Sequence, residues 1–515
     1  MEGKVWLVGA GPGEKGLLTV KGKSVIEDAD VIVYDHLVGK EILSALDQGK
    51  KLINVGKIAG HHPIPQDQIN EILIEEAKKG QKVVRLKGGD PFLFGRGGEE
   101  LWEIAKHEIP FEVVPGVTSP LAVPAYGGIP VTHRDYASSV HIVTGHKKKE
   151  QENDIDYEAL VKTKGTLVFL MGVTALGEIR KNLLKAGMRP DMPAAIVQEG
   201  TTAAQKTVLA TLDTLEKRAK EEKVKPPAVI VVGEVCRLAT QLSWYEKLPL
   251  QGIKIILTRP KELISSLSEK LRTKGAQVWE IPAIETVPVS DNPKLSESFH
   301  NIEKYDWIVF TSQVGVRVFF EQMEKESMDI RKLSHAKFAV IGEGTKKALQ
   351  QRGIFADLMP QVYDGESLGN ELAAVENIEG SRILIPRARK ANELLVPILE
   401  KAGAIVTDVP IYDTIYRECK SLNLVEEMEK ENDWVVVFTS SSTVDGFAAV
   451  TKGMDYSKVT AACIGRQTAQ TAETYGMKCY IAKKATLDSL VDLIEEIKES
   501  INKLSISEET NRKDE

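Results

Sequence analysis

The chain has 515 residues, of which 42% are hydrophobic and 27% are charged, and its formal net charge is −7. This length exceeds what one compact core accommodates and predicts roughly three to four structural domains. The negative charge argues against a dedicated nucleic-acid-binding protein, because neutralising phosphates requires a basic excess.

Signals of membrane insertion, secretion and metal binding are missing from the sequence. The N-terminal residues enter a strand-like run directly, which predicts no signal peptide, and no apolar run approaches the roughly 20 residues that cross a bilayer. The cysteines lack C-x-x-C spacing, so we expect reduced packing residues in a cytoplasmic protein rather than metal ligands. They are Cys236, Cys419, Cys463 and Cys479.

Short runs rich in valine and isoleucine alternate with helical patterns along the first half of the chain. This alternation is typical of α/β folds with buried parallel strands. The predicted helices Ile69–Lys79 and Leu176–Ala186 each end before a glycine suited to a C-cap, Gly80 and Gly187. The predicted strands are Val5–Gly9, Val31–Tyr34, Val83–Leu86, Ser139–Thr144, Thr166–Leu170 and Ala228–Val232.

Three turn-rich segments follow predicted strands of this half. GAGPG, which starts at Gly9, does not have the dinucleotide-binding spacing, and a tight turn explains it equally well. Asp90 follows Gly88 and Gly89 at the carboxyl end of a strand, where open α/β sheets bind ligands. It is suited to hold a ribose hydroxyl or a sulfonium-bearing ligand, or to cap the following turn. The segment 113–139 is dense in glycine, proline, serine and threonine, which predicts that it lines a site.

A second α/β series begins after the turn formers of residues 243–252 and contains an internal repeat. ILTRPKELISSLSEKLRTKGAQVWEIPAIET, ending at Thr286, matches LIPRARKANELLVPILEKAGAIVTDVPIYDT, ending at Thr414. Copies of about 125 residues indicate domain duplication rather than a solenoid. Two similar lobes leave a cleft between them, a common position for a ligand. We expect the polar tail, residues 503–515, to be frayed.

The second half lacks a nucleophile–base set, metal-ligand spacing and a phosphate-binding loop. It offers strand ends rich in hydroxyl groups and glycine, which are suited to hold carboxylates. Helix N-caps explain each of these strand ends equally well. They are residues 310–312, 342–345, 438–442 and 465–468.

Six ordered motifs of the first half are VGAGPG, VIVYDHLV, VGKIAGHH, LKGGDPFLFGRGGEE, PGVTS and GIPVTHRDYASS. They resemble uroporphyrinogen-III C-methyltransferases, members of the tetrapyrrole methylase family, over essentially all of residues 1–245. The resemblance implies two α/β lobes, about 1–114 and 115–248, that bind S-adenosylmethionine between them. It also implies a homodimer through this half. The alternative of a methylase for a later corrin intermediate is disfavoured by Asp35, Lys57 and the GGDPF segment.

The resemblance assigns roles to individual residues. Asp35 and Lys57, both at loop edges, become a proton-handling pair, with a loop cap and a solvated charge as the structural alternatives. Lys57, His61, His62, Arg96 and Arg134 are suited to the carboxylates of the substrate. The cofactor-binding positions are Pro12, Gly88, Gly89, Asp90, Leu93, Thr118, Ser119, Met171 and Gly200.

The duplication and the motifs of residues 251–502 resemble uroporphyrinogen-III synthase. This resemblance implies two lobes joined by two crossings, with the first lobe closed by both chain ends, and cyclisation of hydroxymethylbilane with inversion of its last ring. The reaction is mainly one of conformational control, which fits the absence of a strong catalytic motif. Tyr412 would assist departure of the hydroxyl as a weak acid, or it is a half-buried tyrosine after a strand. The other matching cleft positions are Thr345, Ser440 and Thr468.

The sequence therefore predicts an α/β protein with a two-lobed tetrapyrrole methylase fold followed by a two-lobed duplicated synthase fold. It would form uroporphyrinogen III and methylate it twice to precorrin-2, for sirohaem or cobalamin. Its partners would be small-molecule tetrapyrroles, with no nucleic acid and no membrane. One alternative makes the second half a non-catalytic tetrapyrrole-binding or assembly module. Another makes the second half a sugar-binding or periplasmic-type two-lobe receptor, which the missing signal peptide and the fusion to a methylase half disfavour.

Overall fold

The computed structural model describes residues 3–46, 49–56, 64–145, 155–259, 261–391, 394–417, 419, 421–430 and 434–514. Two five-stranded sheets lie in each half of the chain, and helices alternate with the strands. The predicted α/β class is confirmed. In the part of the chain so described, no helix combines the length and the apolar character that a membrane crossing requires.

The first half contains one fully parallel sheet and one mixed sheet. Its strands are β1 Lys4–Gly9, β2 Val31–Tyr34, β3 Lys51–Asn54, β4 Lys82–Lys87, β5 Phe111–Val114, β6 Val140–Thr144, β7 Thr166–Leu170, β8 Pro193–Gln198, β9 Lys206–Thr211 and β10 Ala228–Val232. Its helices are α1 Val20–Asp28, α2 Lys40–Ser44, α3 Gln66–Lys78, α4 Gly97–Lys106, α5 Ser119–Tyr126, α6 Tyr157–Lys162, α7 Leu176–Lys185, α8 Leu215–Glu221 and α9 Ala239–Leu242.

The strand orders are β3-β2-β4-β1-β5 and β6-β7-β10-β8-β9. Strand β10 runs antiparallel to both of its neighbours, so the prediction of a parallel strand was wrong there. The error has a simple cause. A strand that is buried on both faces has the same apolar composition in either direction, so composition alone does not reveal its polarity.

The second half contains a parallel sheet and a mixed sheet. Its strands are β11 Lys254–Leu257, β12 Gln277–Glu280, β13 Ile284–Pro288, β14 Trp307–Phe310, β15 Lys337–Val340, β16 Arg382–Ala388, β17 Ile405–Tyr416, β18 Trp434–Phe438, β19 Thr460–Cys463 and β20 Lys478–Ile481. Its helices are α10 Lys261–Thr273, α11 Pro293–His300, α12 Gln313–Lys325, α13 Glu343–Gln350, α14 Gly365–Ala373, α15 Leu395–Lys401, α16 Leu424–Lys430, α17 Ser441–Val450, α18 Arg466–Thr474 and α19 Leu487–Asp514.

Each of these two sheets combines strands from both copies of the internal repeat. The order β12-β11-β18-β19-β20 joins the start of the first copy to the end of the second, and β13-β17-β16-β14-β15 joins the remainder. The chain crosses between the lobes twice, and the backbone N–H of Arg417 donates to the carbonyl of Ala283 (3.1 Å) where the crossings meet. A lobe is therefore not one repeat copy.

The C-terminal helix α19 continues to Asp514, and fraying of the polar tail stays a prediction. Leu490, Ile494 and Ile497 of its first part are fully buried against the core of the parallel sheet. Because helix propagation costs much less than nucleation, this packed segment extends readily into the polar residues that follow.

The two halves pack together through α2 and the edge strand β12. The Glu41 carboxylate accepts hydrogen bonds from the backbone N–H groups of Lys15 (3.1 Å) and Val278 (2.6 Å) and from Arg272 Nε (3.2 Å). Ser44 Oγ accepts from the backbone N–H of Glu280 (3.1 Å). The contact thus satisfies N–H groups of an edge strand that would otherwise be open to pairing with another chain.

Four charged side chains form what we call the junction cluster: Lys15 and Glu41 from the first half, and Arg272 and Glu280 from the second. Lys15 Nζ lies 2.6 Å from Glu280 Oε2, and Arg272 Nη1 lies 3.0 Å from Glu280 Oε1. Burial opposes the ionisation of Glu280, but Lys15 and Arg272 outweigh it and hold the pKa of Glu280 below its usual value. The cluster therefore uses both carboxylates to fix the two halves against each other.

Candidate active sites of the two halves

The three turn-rich segments of the first half meet at the carboxyl edge of the first sheet. Gly11 and Gly89 exchange backbone hydrogen bonds of 3.2 and 2.7 Å. The chain at Gly116 is packed so tightly that an added Cβ would lie 2.1 Å from the Gly89 carbonyl oxygen, and one at Gly9 would lie 2.5 Å from Gly116. Glycine is required here because the backbones touch.

Asp90 organises this edge through both of its carboxylate oxygens. Oδ1 accepts the backbone N–H groups of Phe92 (2.9 Å) and Leu93 (3.2 Å), and Oδ2 accepts that of Gly116 (3.1 Å). Asp90 therefore caps the following turn and also ties that turn to the loop before α5. Its contact with a ribose remains a prediction.

The residues around Gly89 fit a small polar cofactor. Gly89 has φ +66°, and a Cβ added there would meet only the Ser119 nitrogen, at 3.9 Å, so the backbone borders open space. Thr118 stands at the N-cap of α5 without making a side-chain capping bond. The N–H groups at the start of a helix attract a carboxylate, which S-adenosylmethionine carries.

The second lobe supplies the remaining predicted cofactor positions. Glu14, two residues after Pro12, donates its backbone N–H to Thr201 Oγ1 (3.3 Å), which brings the neighbouring Gly200 close to the first glycine turn. Met171 follows β7 in a left-handed conformation (φ +54°) and is 51% exposed. The structure thus joins the predicted positions of the first lobe, with Gly200 beside them, while the role of Met171 stays a prediction.

Asp35 belongs to a buried charge network that sequence reasoning did not identify. Its Oδ1 accepts the backbone N–H of Leu37 (3.0 Å), and its Oδ2 accepts Arg85 Nη2 (3.1 Å). Arg85 Nε and Lys87 Nζ donate to Glu100 Oε1 at 3.2 and 3.0 Å. The sequence feature that could have indicated this network is the presence of two charged residues, Arg85 and Lys87, in the otherwise apolar run VVRLK.

Two charged side chains of this network, Glu100 and Lys87, lie in unfavourable electrostatic surroundings. Glu100 is fully buried, and its Oε2 has no hydrogen-bond partner among the described residues. Burial, and then the charge of Arg85, lower the pKa of Lys87. Such perturbed groups beside a ligand-binding edge are typical of functional sites. The predicted Lys57, His61 and His62 lie outside the described residues.

The two predicted substrate-binding arginines of this half lie at the surface. Arg96 has a left-handed φ of +57° and pairs with Glu99, with Nε 3.0 Å from Oε1. Arg134 is exposed in the turn between His133 and Ala137. Both positions are accessible to a ligand, and their roles stay predictions.

In the second half, Tyr412 is more buried than predicted, with 6% exposure, and it lies within β17. Its hydroxyl lies 2.9 Å from Ser312 Oγ, and the Ser312 side chain in turn caps α12 by accepting the Gly315 N–H (2.9 Å). Burial raises the pKa of Tyr412, so its hydroxyl keeps its proton. The pair is held at the carboxyl end of β14.

The other predicted cleft residues occupy the first turns of helices. Thr345 and Thr468 are 4% and 5% exposed near the starts of α13 and α18. Ser440 caps α17, as the structural alternative predicted, and accepts the Thr443 N–H (3.4 Å). Ser440 and Thr468 thus belong to one lobe, and Thr345 and Tyr412 to the other. Substrate contact remains a prediction for all four.

Arg259, which sequence reasoning did not single out, is a buried cation in the second half. It is 7% exposed, and its Nε and Nη1 have no hydrogen-bond partner in the described part of the chain. Burial lowers its pKa. A buried arginine is normally paired with an acid, so Arg259 requires an explanation.

Comparison with known proteins matches each half of the chain to a protein family. The family model "Tetrapyrrole (Corrin/Porphyrin) Methylases" matches residues 4–216, and the model "Uroporphyrinogen-III synthase HemD" matches residues 265–492. The chain is 44% identical over 496 residues to the porphyrin biosynthesis protein HemD of Ruminiclostridium josui, covering 96% of this chain and 98% of that one. The chain therefore belongs to the family of porphyrin biosynthesis proteins that join a tetrapyrrole methylase half to a uroporphyrinogen-III synthase half.

Two further relatives refine the comparison. A protein of Methanosarcina barkeri, named S-adenosyl-L-methionine-dependent uroporphyrinogen III methyltransferase, is 52% identical over 237 residues, which are 46% of this chain and 93% of that protein. The uroporphyrinogen-III C-methyltransferase of Bacillus subtilis is 38% identical over 380 residues, which are 73% of this chain and 77% of that protein. The predicted fusion of a methylase half with a synthase half is confirmed.

Proposed function

We propose that the second half cyclises hydroxymethylbilane to uroporphyrinogen III and that the first half methylates this product with S-adenosylmethionine. The observation that carries the proposal is the near full-length relationship to a porphyrin biosynthesis protein, with one family model in each half. Two successive methylations would give precorrin-2. A homodimer through the first half completes the proposal, and light scattering of the pure protein tests it.

In the methylase half, S-adenosylmethionine supplies an electrophilic methyl group when it is bound. The chain contributes the open backbone at Gly89, the start of α5 and the loop that Asp90 fixes. These groups hold and orient a ligand, which matters because the displacement depends on alignment. The contacts of Pro12, Leu93, Met171 and Gly200 with the cofactor belong to the same proposal.

Asp35 is proposed to accept the proton that leaves the macrocycle after methylation. Arg85 and the Leu37 N–H orient its carboxylate, which is 18% exposed and so remains open to a substrate. Lys57 would be the partner in this proton transfer. Arg96 and Arg134, exposed on the same half, would bind carboxylates of the substrate.

The Asp35→Asn variant tests this role. The amide keeps an oxygen that can accept the Leu37 N–H, and Arg85 keeps its pair with Glu100, so the fold should persist while the basic group is lost. Because general acid–base catalysis typically contributes about 10²–10⁴-fold, we expect kcat for methyl transfer to fall by about that factor. The affinity for S-adenosylhomocysteine, measured by calorimetry, should not change. A kcat within threefold of the native value would assign Asp35 to loop capping alone.

In the synthase half, Tyr412 is proposed to assist departure of the substrate hydroxyl as a weak acid. Its raised pKa keeps the phenol protonated, and Ser312 Oγ at 2.9 Å orients it. Thr345, Ser440 and Thr468 would hold the substrate in the folded shape that ring inversion requires, with helix-start N–H groups facing its carboxylates.

An anaerobic incubation with freshly generated hydroxymethylbilane tests the whole proposal. Without S-adenosylmethionine we expect uroporphyrinogen III, and with it a doubly methylated product, both identified by chromatography and mass. If only the type I isomer or its methylated products form, the second half is not a synthase. The alternative of a tetrapyrrole-binding or assembly module would then hold for that half.

A further inference from the structure

The buried Arg259 has a counterpart in the second copy of the internal repeat. The offset that relates Gly275 to Gly403 also relates Arg259 to Arg387 and Glu280 to Asp408. The strand registers agree, since Leu257 pairs with Glu280 in one sheet as Ile385 pairs with Asp408 in the other. The two arginines therefore occupy equivalent backbone positions, each two residues after the residue that pairs with the acid of the neighbouring strand.

The two copies use these residues differently. Arg387 forms a bidentate pair with Asp408, with Nε 2.8 Å from Oδ1 and Nη2 2.7 Å from Oδ2. Glu280 instead accepts Lys15 Nζ, Arg272 Nη1 and Ser268 Oγ in and beside the junction cluster. The acid at the position equivalent to Asp408 is thus engaged in holding the first half.

Arg259 lies where a substrate of the synthase would be held. It follows β11 at the carboxyl edge of the parallel sheet, the edge at which Ser440 caps α17. The preceding Thr258 is fixed on both sides. Its Oγ1 donates to the Val437 carbonyl (2.8 Å), and its own carbonyl accepts the Ala283 N–H (3.2 Å) beside the crossings between the lobes.

We infer that Arg259 binds a carboxylate of the linear tetrapyrrole substrate, taking the place of the acid that the junction has engaged. This inference rests on the proposed synthase activity of the second half. An anion is needed because a buried guanidinium without one is unfavourable, and a planar fork matches a carboxylate in two-point geometry. Because Arg259 is 7% exposed and adjoins the lobe crossings, the inference requires that a rotation of one lobe on the other admits the ligand.

The Arg259→Ala variant of the full chain tests the inference. We expect the KM for hydroxymethylbilane and the Kd for uroporphyrin III, measured by fluorescence titration, to rise about tenfold, which is the effect of losing one charged hydrogen-bonding partner. The kcat should change much less. Arg259→Lys should recover part of the affinity. Methylation of supplied uroporphyrinogen III should stay unchanged and serves as an internal control.

The equivalent arginine offers a matched control. Arg387→Ala leaves Asp408 without its partner, so it should destabilise the fold while leaving the KM and the Kd near the native values. Arg259→Ala should not lower the stability, because it removes a buried charge whose Nε and Nη1 have no hydrogen-bond partner among the residues that the structure describes. If native protein cyclises hydroxymethylbilane and Arg259→Ala binds as tightly as native protein, the inference is wrong. If native protein does not cyclise the substrate, the proposed function fails instead.

Discussion

The two copies of the repeat place an arginine and an acid at equivalent positions, yet only the second copy pairs them. In that copy Arg387 and Asp408 neutralise each other within one lobe. In the first copy Glu280 belongs to the junction cluster, and Arg259 is left without it. The repeat therefore determines where a charged group lies, whereas contact with another part of the chain determines its partner. The following variants test this difference.

The largest effect is expected from Arg272→Met in the junction cluster. The change leaves Glu41 and Glu280, which are 3% and 8% exposed, without the guanidinium that joins them. Removing one partner of a buried ion pair costs about 3–5 kcal/mol. Urea denaturation should show this loss in the free energy of unfolding.

Arg331→Met is the surface control for that variant, because Arg331 is an exposed residue of the same half that pairs with Asp329. It should change the free energy of unfolding by less than about 0.5 kcal/mol. If Arg272→Met behaves like Arg331→Met, the junction cluster does not hold the halves together.

A second, smaller effect separates the two equivalent arginines. Arg387→Met removes the partner of Asp408, whose side chain is 37% exposed, and should cost about 1–3 kcal/mol because solvent compensates in part. Arg259→Met should cost nothing or stabilise the protein, since an apolar side chain replaces a buried charge that forms no ion pair within the described part of the chain. Thermal unfolding of both variants measures the difference. Equal losses would show that Arg259 is neutralised in the folded protein.

A third variant, Ser44→Ala, tests the edge-strand contact alone. It removes the hydroxyl that accepts the Glu280 N–H (3.1 Å) and leaves a buried donor unsatisfied. The expected cost is about 1–2 kcal/mol. Hydrogen exchange at the Glu280 amide should accelerate at the same time. Ser457→Ala, at an exposed turn, is the matched control.

The smallest effect is expected from Lys15→Met. The Lys15 side chain is 29% exposed, so its pair with Glu280 contributes only about 0–1 kcal/mol and weakens with salt. Arg272 still neutralises Glu280 in this variant, so Arg259 should keep its affinity for tetrapyrrole. A clear rise in the Kd for uroporphyrin III would indicate that Glu280 returns to Arg259 when one cation is removed.

Local sequence patterns were sufficient to predict the α/β class, the division into a methylase half and a synthase half, and most strand positions. These features depend on local apolar runs, on glycine where backbones touch, and on a repeat that is visible as a pattern. The convergence of Gly11, Gly89 and Gly116 could be expected for the same reason, because strand ends meet at one edge of a parallel sheet.

The direction of β10 and the continuation of α19 to Asp514 depend on tertiary packing and were not predicted. Tertiary packing also decided the partners of the buried charges. Arg85 pairs with both Asp35 and Glu100, and Glu280 pairs with Lys15 and Arg272 instead of Arg259. Such pairings depend on which side chains meet after distant segments pack. The residues next to a charged side chain in the sequence do not indicate which residue will be its partner.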